Sequence, residues 1–252
     1  MTLSLSLGAL ESLMLVGVRM VAFLVVAPPF SHRGIPATVK VMLATGLALA
    51  IAPRVATTVP ESTGEYVVLL VGEAVIGVGL GFLVAVVFAA VQSAGSLIDL
   101  MGGFSLAQGF DPMTQVNGAQ FARLYQLTAV VILFVSDGYQ MVISGLVRTF
   151  DALPLGASLD LSKLGDALTT SVTGMFLATL QIAGPLVVVL FLADVGLGLL
   201  TRVAPALNAF ALGFPLKILL TLSLASLTYL ALPRIIENLT GRSLDAIVGV
   251  TS

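Results

Sequence analysis

The amino-acid sequence predicts an all-α membrane protein with about six hydrophobic helical segments. Of its 252 residues, 58% are hydrophobic and 10% are charged, and the mean hydropathy is +1.11. A soluble globular domain carries about 25% charged residues, so an ordinary water-soluble enzyme is excluded. In addition, long apolar stretches recur along the chain, many near the ~20 residues that cross a bilayer core of about 30 Å.

Six such stretches are predicted to be helical. They run from about Leu5 to Pro28, Ile35 to Ile51, Val67 to Ile98, Leu124 to Val147, Ala167 to Ala193 and Ala206 to Leu232. The third is the clearest, because no charge interrupts it after Glu73. Its aliphatic and aromatic side chains favour insertion by about 6 kcal/mol, which outweighs the roughly 3 kcal/mol cost of one buried charge.

Turn residues separate several of these segments. Ala27–Phe30, Ala52–Arg54 and Asp151–Gly156 each contain proline and read as breaks. Lysine and arginine in the loops divide four against five between the two sides of a six-span topology, so the charge bias does not orient the chain. Because Met1–Leu10 has no basic residue, we expect no cleavable signal there. We also expect no fused second component after Ser252.

The connection between the third and fourth segments is unusual. From Asp99 to Asn117 it reads DLMGGFSLAQGFDPMTQVN, too apolar for a solvated loop and too rich in glycine for a regular helix. Irregular backbone in a membrane protein is tolerated where protein buries it or where it lines a water-filled path. This stretch is the first indication of a pore.

Small side chains recur every fourth residue in the third segment. Residues at this spacing share one face of a helix, and small side chains let neighbouring backbones approach closely. We therefore predict a helix-packing ridge, although glycine and alanine are also common in this chain generally. The ridge consists of Gly77, Gly81, Ala85, Ala89 and Ser93.

Several ionisable residues lie within apolar segments or at their ends. Such residues are costly in a membrane and are candidates for ion pairs or for a transport path. Glu73 and Lys217 are the best candidates for pairs between helices, because each precedes a long uncharged stretch. Which acid meets which base is not fixed by the sequence. The set comprises Glu11, Arg19, Glu73, Asp137, Asp194 and Lys217.

Other functional classes find little support. The net charge is -2, there is no cysteine, and there is one histidine, so we expect no nucleic-acid partner, no metal site and no cofactor. No phosphate-binding loop is present, and Gly103–Ala107 only half resembles a nucleophile elbow because its last glycine is missing. The chain is not expected to be an enzyme.

Several short stretches, spread over nearly the whole chain, have a specific wording. Gly72-Glu73 before the small-residue ridge is one of them, and Phe110-Asp111-Pro112 in the central loop is another. The others are Arg19–Phe23, Ala27–Phe30, Ile35–Lys40, Ala94–Asp99, Asp194–Asn208 and Gly213–Lys217. Together they resemble the flagellar biosynthetic protein FliR family of type III secretion export proteins. The Asn-Gly-His that is common in that family is replaced here by Asp137-Gly138-Tyr139.

The resemblance implies a single-copy subunit of the type III export gate, in the bacterial inner (cell) membrane at the flagellar basal body. Its partners would be FliP-type, FliQ-type and FlhB-type subunits and the unfolded flagellar proteins that are exported. Residues 1–165 would be a FliP-like helical part and 166–252 a FliQ-like helical hairpin. The central loop, about 99–118, would plug the closed pore, with Phe104, Gln108, Phe110 and Met113 contributing.

Two alternatives remain open at this stage. The homologous subunit of a virulence-associated secretion system would have the same fold and differ only in its substrates. A stand-alone, ion-coupled secondary transporter would use Glu73, Asp137 and Lys217, and an inverted repeat would favour it. No convincing repeat is found.

Overall fold

The structure is a computed structural model and describes residues 7–32, 34–55, 62–104, 120–156, 161–204 and 209–251. The long elements within these ranges are helices, which confirms the all-α prediction. A single 3₁₀ turn, Ala52–Arg54, follows the second helix. The helices are α1 (Leu7–Val26), α2 (Ala37–Ile51), α3 (Thr63–Met101), α4 (Gln120–Val135), α5 (Gly138–Ala152), α6 (Leu161–Val203) and α7 (Ala209–Thr251).

Among the described residues, four helices are long and apolar enough to cross a membrane, and up to six spans result if each of two bent pairs counts as one. This agrees with the predicted six segments. Three helices are far longer than a bilayer requires: α3 has 39 residues, and α6 and α7 have 43 each. At 1.5 Å per residue they extend for about 60 Å, twice the thickness of the hydrocarbon core.

The fourth predicted segment is broken. A single helix was expected from Leu124 to Val147, but α4 ends at Val135 and α5 begins at Gly138, with an angle of 75° between them. Asp137 lies in the left-handed region with φ 55° and separates the two helices. Aspartate adopts this conformation more readily than most residues. The apolar composition favours one continuous helix, but the left-handed backbone at Asp137 breaks it in two.

The last two predicted segments are longer than expected. Their predicted limits, Ala167–Ala193 and Ala206–Leu232, stopped where charged residues or proline begin. However, α6 continues to Val203, and α7 continues past Pro233. Lysine, arginine and glutamate have good helix propensity, and aspartate costs no more than about 0.7 kcal/mol relative to alanine. Charge alone therefore does not end a helix whose ends can reach a polar environment.

The chain forms two compact units. The first comprises Met1–Val87, Asp137–Thr173 and Leu239–Ser252, and the second comprises Phe88–Ser136 and Gly174–Asn238. Because α3, α6 and α7 each contribute to both units, the units are not consecutive along the sequence. These units do not correspond to the predicted FliP-like and FliQ-like parts that meet near residue 165, and that division stays a prediction.

The first unit contains α1, α2, the N-terminal part of α3 and α5, with one end each of α6 and α7. Ser62 caps the N-terminus of α3. Its hydroxyl accepts a hydrogen bond from the backbone N–H of Glu65 at 3.2 Å, as in a capping box. The core of this unit consists of apolar side chains that are almost completely buried. They include Leu15, Met20, Phe23 and Leu24 from α1, Ile76, Leu80 and Leu83 from α3, and Val142, Leu146 and Phe150 from α5.

The second unit is built on the C-terminal part of α3, on α4, and on parts of α6 and α7. The hydroxyl of Thr179 on α6 is shared between two acceptors, the carbonyl oxygen of Ala90 on α3 at 3.2 Å and that of Met175 in its own helix at 2.8 Å. The hydroxyls of Thr128 on α4 and Tyr229 on α7 are 3.0 Å apart. These side-chain hydrogen bonds join helices that otherwise pack through apolar residues.

Candidate functional site

Arg19 is the centre of a polar cluster in the first unit. Arg19 lies on α1 and its side chain is completely buried. Its Nε donates a hydrogen bond to Oε2 of Glu73 on α3 at 2.5 Å. Its terminal nitrogens both donate to the carbonyl oxygen of Leu153 at 3.1 Å, immediately after α5. One side chain therefore connects three helices.

The surroundings of Arg19 compensate its buried charge. Glu73 supplies a negative charge and is only 2% exposed. The carbonyl oxygen of Thr149 lies in the last turn of α5, and that of Leu153 follows directly after this helix. Both are at the end where the helix dipole is negative and attracts a cation. The guanidinium carbon also lies 4.2 Å from the centre of the Phe150 ring, within the range of a cation–π interaction.

The first two glycines of the predicted small-residue ridge pack α3 against α1. A Cβ added to Gly77 would collide with the carbonyl oxygen of Arg19 and lie 2.8 Å from Ala22 Cβ. A Cβ on Gly81 would lie 2.9 Å from the carbonyl oxygen of Phe23. Glycine here lets the α3 backbone approach the turn of α1 that carries Arg19. The remaining ridge residues, Ala85, Ala89 and Ser93, are half-buried.

A second ion pair joins α6 and α7. Lys217 Nζ lies 2.7 Å from Asp194 Oδ1, and these side chains are 20% and 44% exposed, respectively. The structure therefore pairs Glu73 with Arg19 and Lys217 with Asp194, each between two helices. Asp137 differs: it is exposed, and its carboxylate accepts a hydrogen bond from Gln140 Nε2 at 3.2 Å.

The base of the central loop has a defined geometry in the second unit. Asp99, in the last turn of α3, is 2% exposed, and its two carboxylate oxygens accept the backbone N–H groups of Phe121 and Ala122, each at 3.0 Å. Phe121 and Ala122 form the first turn of α4, whose unpaired N–H groups need acceptors. One carboxylate thus connects the two ends of the loop.

Aromatic and glycine residues complete this base. The Phe104 ring packs edge-on to Phe121 with centroids 5.2 Å apart, and Phe121 packs in the same way on Tyr125 at 6.2 Å. Gly103 has φ +82°, and a Cβ there would lie 3.1 Å from the Phe214 ring. Of the four predicted plug residues, the structure describes Phe104, whereas Gln108, Phe110 and Met113 lie outside the described residues.

Sequence reasoning did not single out Asp99 as a buried charge. It is the only acidic residue between Ala74 and Phe110, and it lies three residues before Gly102-Gly103. A single acidic residue in such a long apolar stretch indicates a buried carboxylate with a specific partner. Sequence reasoning noted Arg19 but did not assign its partner. For metals, no group of three or more histidine or acidic side chains comes together in the parts of the chain that the structure describes.

Comparison with known proteins identifies the family. A family model described as "Bacterial export proteins, family 1" matches residues 10–243. The chain belongs to this family. The FliR resemblance predicted from the sequence is confirmed, since curated FliR proteins are more than 30% identical over most of the chain.

The chain is similar to relatives from two kinds of system. The "Flagellar biosynthetic protein FliR" of Escherichia coli (strain K12) is 38% identical over 82% of this chain and 79% of its own length. That of Bacillus subtilis (strain 168) is 30% identical over 94% of this chain and 96% of its own length. The "Secretion system apparatus protein SsaT" of Salmonella typhimurium is 31% identical over 61% of this chain and 60% of its own length.

Proposed function

We propose that this chain is a single-copy core subunit of a flagellar type III protein export gate, where it forms part of the channel for unfolded flagellar proteins. The coarser assignment, a subunit of a type III export apparatus, follows from its family. The observation that favours a flagellar system is the share of this chain that aligns with each relative. The flagellar relatives from Escherichia coli and Bacillus subtilis align with 82% and 94% of the chain, whereas SsaT aligns with 61%.

The proposed partners are FliP-type, FliQ-type and FlhB-type subunits. The helices of this chain expose large apolar side chains that need a covering surface, such as Phe176, Phe191 and Leu199 on α6, each about 60% exposed. Lipid alone would cover only part of them, because helices of about 60 Å are twice as long as the hydrocarbon core. Contact with other helical subunits covers the remainder.

The proposed location is the bacterial inner membrane, at the flagellar basal body. Four to six apolar helical spans support a membrane-embedded subunit. The positive-inside rule describes helices that insert into the bilayer as simple spans. If other subunits hold much of the chain, lysine and arginine need not be concentrated in the loops on one side of the membrane, as is observed here. The proposed role in this location is structural and non-enzymatic.

The central loop is proposed to plug the closed channel. Its composition, with glycine, methionine and phenylalanine, suits a deformable apolar seal against water and ions. The edge-on packing of Phe104 on Phe121 holds the first aromatic residue of the loop at its base. When substrate enters, the glycines would let the backbone rearrange.

The two alternative functions have less support. A virulence-associated secretion subunit would have the same fold, but SsaT matches a smaller share of the chain than the flagellar relatives do. A secondary transporter would need Glu73, Asp137 and Lys217 in one ion path. Instead, Glu73 and Lys217 each have their own local ion-pair partner, and Asp137 lies on an exposed turn.

The test is purification of the tagged chain from cells that also produce its proposed partners. The proposal expects the chain to copurify with FliP-type and FliQ-type subunits in one complex, with one copy of itself per complex by mass measurement. It also expects the chain to restore motility to a flagellated host lacking its own copy. A chain that purifies alone, and that transports a small solute in vesicles, would instead support the transporter.

A further inference from the structure

The most informative unassigned feature is the carboxylate of Asp99. This residue is 2% exposed, carries no role in the channel proposed above, and binds two backbone N–H groups of α4 at 3.0 Å each. An acidic residue in the last turn of a helix is unfavourable, because the helix dipole is negative there. Its position is explained by the first turn of α4, where the dipole is positive and the N–H groups lack partners.

Close packing reinforces this contact. Gly95, one turn before Asp99, lies against the start of α4, and a Cβ there would come within 2.5 Å of Ala122 Cα. Just beyond Asp99, a Cβ on Gly102 would lie 2.7 Å from Thr221 Oγ1. The backbone is therefore tightly packed on both sides of Asp99, where side chains larger than hydrogen do not fit.

We infer that Asp99 is a positioning residue that holds the end of α3 against the start of α4, and so keeps the two ends of the central loop together when substrate passes. The inference rests on the proposed plug function. It follows from the bidentate hydrogen bonds, which join α3 directly to α4, and from Gly95, where the two backbones lie too close for a side chain. Hydrogen bonds to a charged, buried group are among the stronger polar contacts in proteins.

The first test uses the assembled gate in cells with a halide-sensitive cytoplasmic indicator that reports chloride influx. Asp99→Asn keeps one acceptor oxygen but loses the charge and one hydrogen bond. We expect a resting influx about tenfold above wild type. A tenfold rise corresponds to a change of about 1.4 kcal/mol in the free-energy difference between gates whose loop ends are joined and gates whose loop ends are separated. The yield of copurified complex should stay at the wild-type level.

The experiment has two control variants. Thr179→Val removes another buried side-chain hydrogen bond between helices of the same unit, and it should leave the influx unchanged. Deletion of residues 102–117 should raise the influx by itself. If the deletion does not leak, the plug proposal fails. If the deletion leaks while the Asp99→Asn complex stays tight, or if Thr179→Val leaks equally, the positioning role of Asp99 is wrong.

A second test keeps Asp99 and therefore stands even if Asp99→Asn prevents assembly. The chain contains no cysteine, so Leu100→Cys and Gln120→Cys, at exposed positions beside Asp99 and Phe121, can be treated with bifunctional maleimides of increasing length in a gate whose other subunits lack cysteine. The shortest reagent that bridges the two cysteines is used. If the ends stay together during export, the bridged gate still exports flagellar proteins at the unbridged rate. Loss of export on bridging, with each single-cysteine variant unaffected by the reagent, would overturn the inference.

Discussion

Arg19 and Glu73 form a buried ion pair between α1 and α3, with Nε and Oε2 2.5 Å apart and both side chains at most 3% exposed. The two residues are 54 positions apart in the sequence. Such a pair adds little net stability over apolar side chains, but removal of one member leaves the other charge buried and uncompensated. The guanidinium also bonds to the end of α5, so the pair fixes the arrangement of three helices.

Arg19→Met should destabilise the chain by about 3–5 kcal/mol, because the carboxyl group of Glu73 would remain buried without its partner. We expect a strong loss of copurified complex and of its thermal stability. The double variant Arg19→Met/Glu73→Gln removes both charges and should recover part of the loss. If the double variant is as unstable as the sum of the single variants, the two residues do not act as a pair.

Gly77→Ala should also destabilise the chain, for a steric reason. Its new Cβ would collide with the backbone of Arg19 and with Ala22, and overpacking of this kind typically costs about 1–3 kcal/mol. Gly72→Ala is the matched control in the same helix, since a Cβ there meets nothing within 4 Å. The control should be neutral or should stabilise by up to about 1 kcal/mol, because alanine favours helix. Melting temperatures of the two complexes compare them directly; similar values would argue against close α1–α3 packing at Gly77.

The sequence was sufficient to predict the class of the fold and the regions that become helices, because apolar stretches of membrane-spanning length are a strong signal. It also indicated that Glu73 and Lys217 make pairs between helices. The partners were not predictable, since Arg19 and Asp194 are brought to them by tertiary packing. The same holds for Asp99: its role depends on where α4 begins. The break at Asp137 was missed because composition averages over a single residue with positive φ.

Asp137→Asn should leave both stability and export unchanged. Asparagine adopts the left-handed conformation as readily as aspartate, and the carboxylate of Asp137 is exposed on the turn. In contrast, Asp137→Val should destabilise the chain by about 1–2 kcal/mol, because a β-branched residue is strained at φ 55°. Motility and complex yield measure both effects. A large loss of export in Asp137→Asn with normal assembly would instead indicate that the charge itself is needed, as the transporter hypothesis requires.

Lys217→Met should have a smaller effect than Arg19→Met. The Lys217–Asp194 pair is partly exposed, at 20% and 44%, and exposed pairs contribute about 0–1 kcal/mol because solvent screens both charges. The charge-reversed variant Lys217→Asp/Asp194→Lys should assemble nearly as well as wild type. If Lys217→Met instead abolishes assembly while the reversed pair restores it, the pair becomes buried against another subunit in the complex.

Deletion of residues 102–117 should open the resting channel to small ions. The deletion removes Gly103 and Phe104, which pack on Phe214 and Phe121, together with the rest of the apolar loop, so the proposed plug would no longer seal the pore against water. Chloride influx in cells that contain the complete gate measures the leak, and copurification verifies that the shortened chain still assembles. Cells without the gate provide the background. An influx at that background, in cells with a normal amount of complex, would contradict the assignment of this loop as the plug.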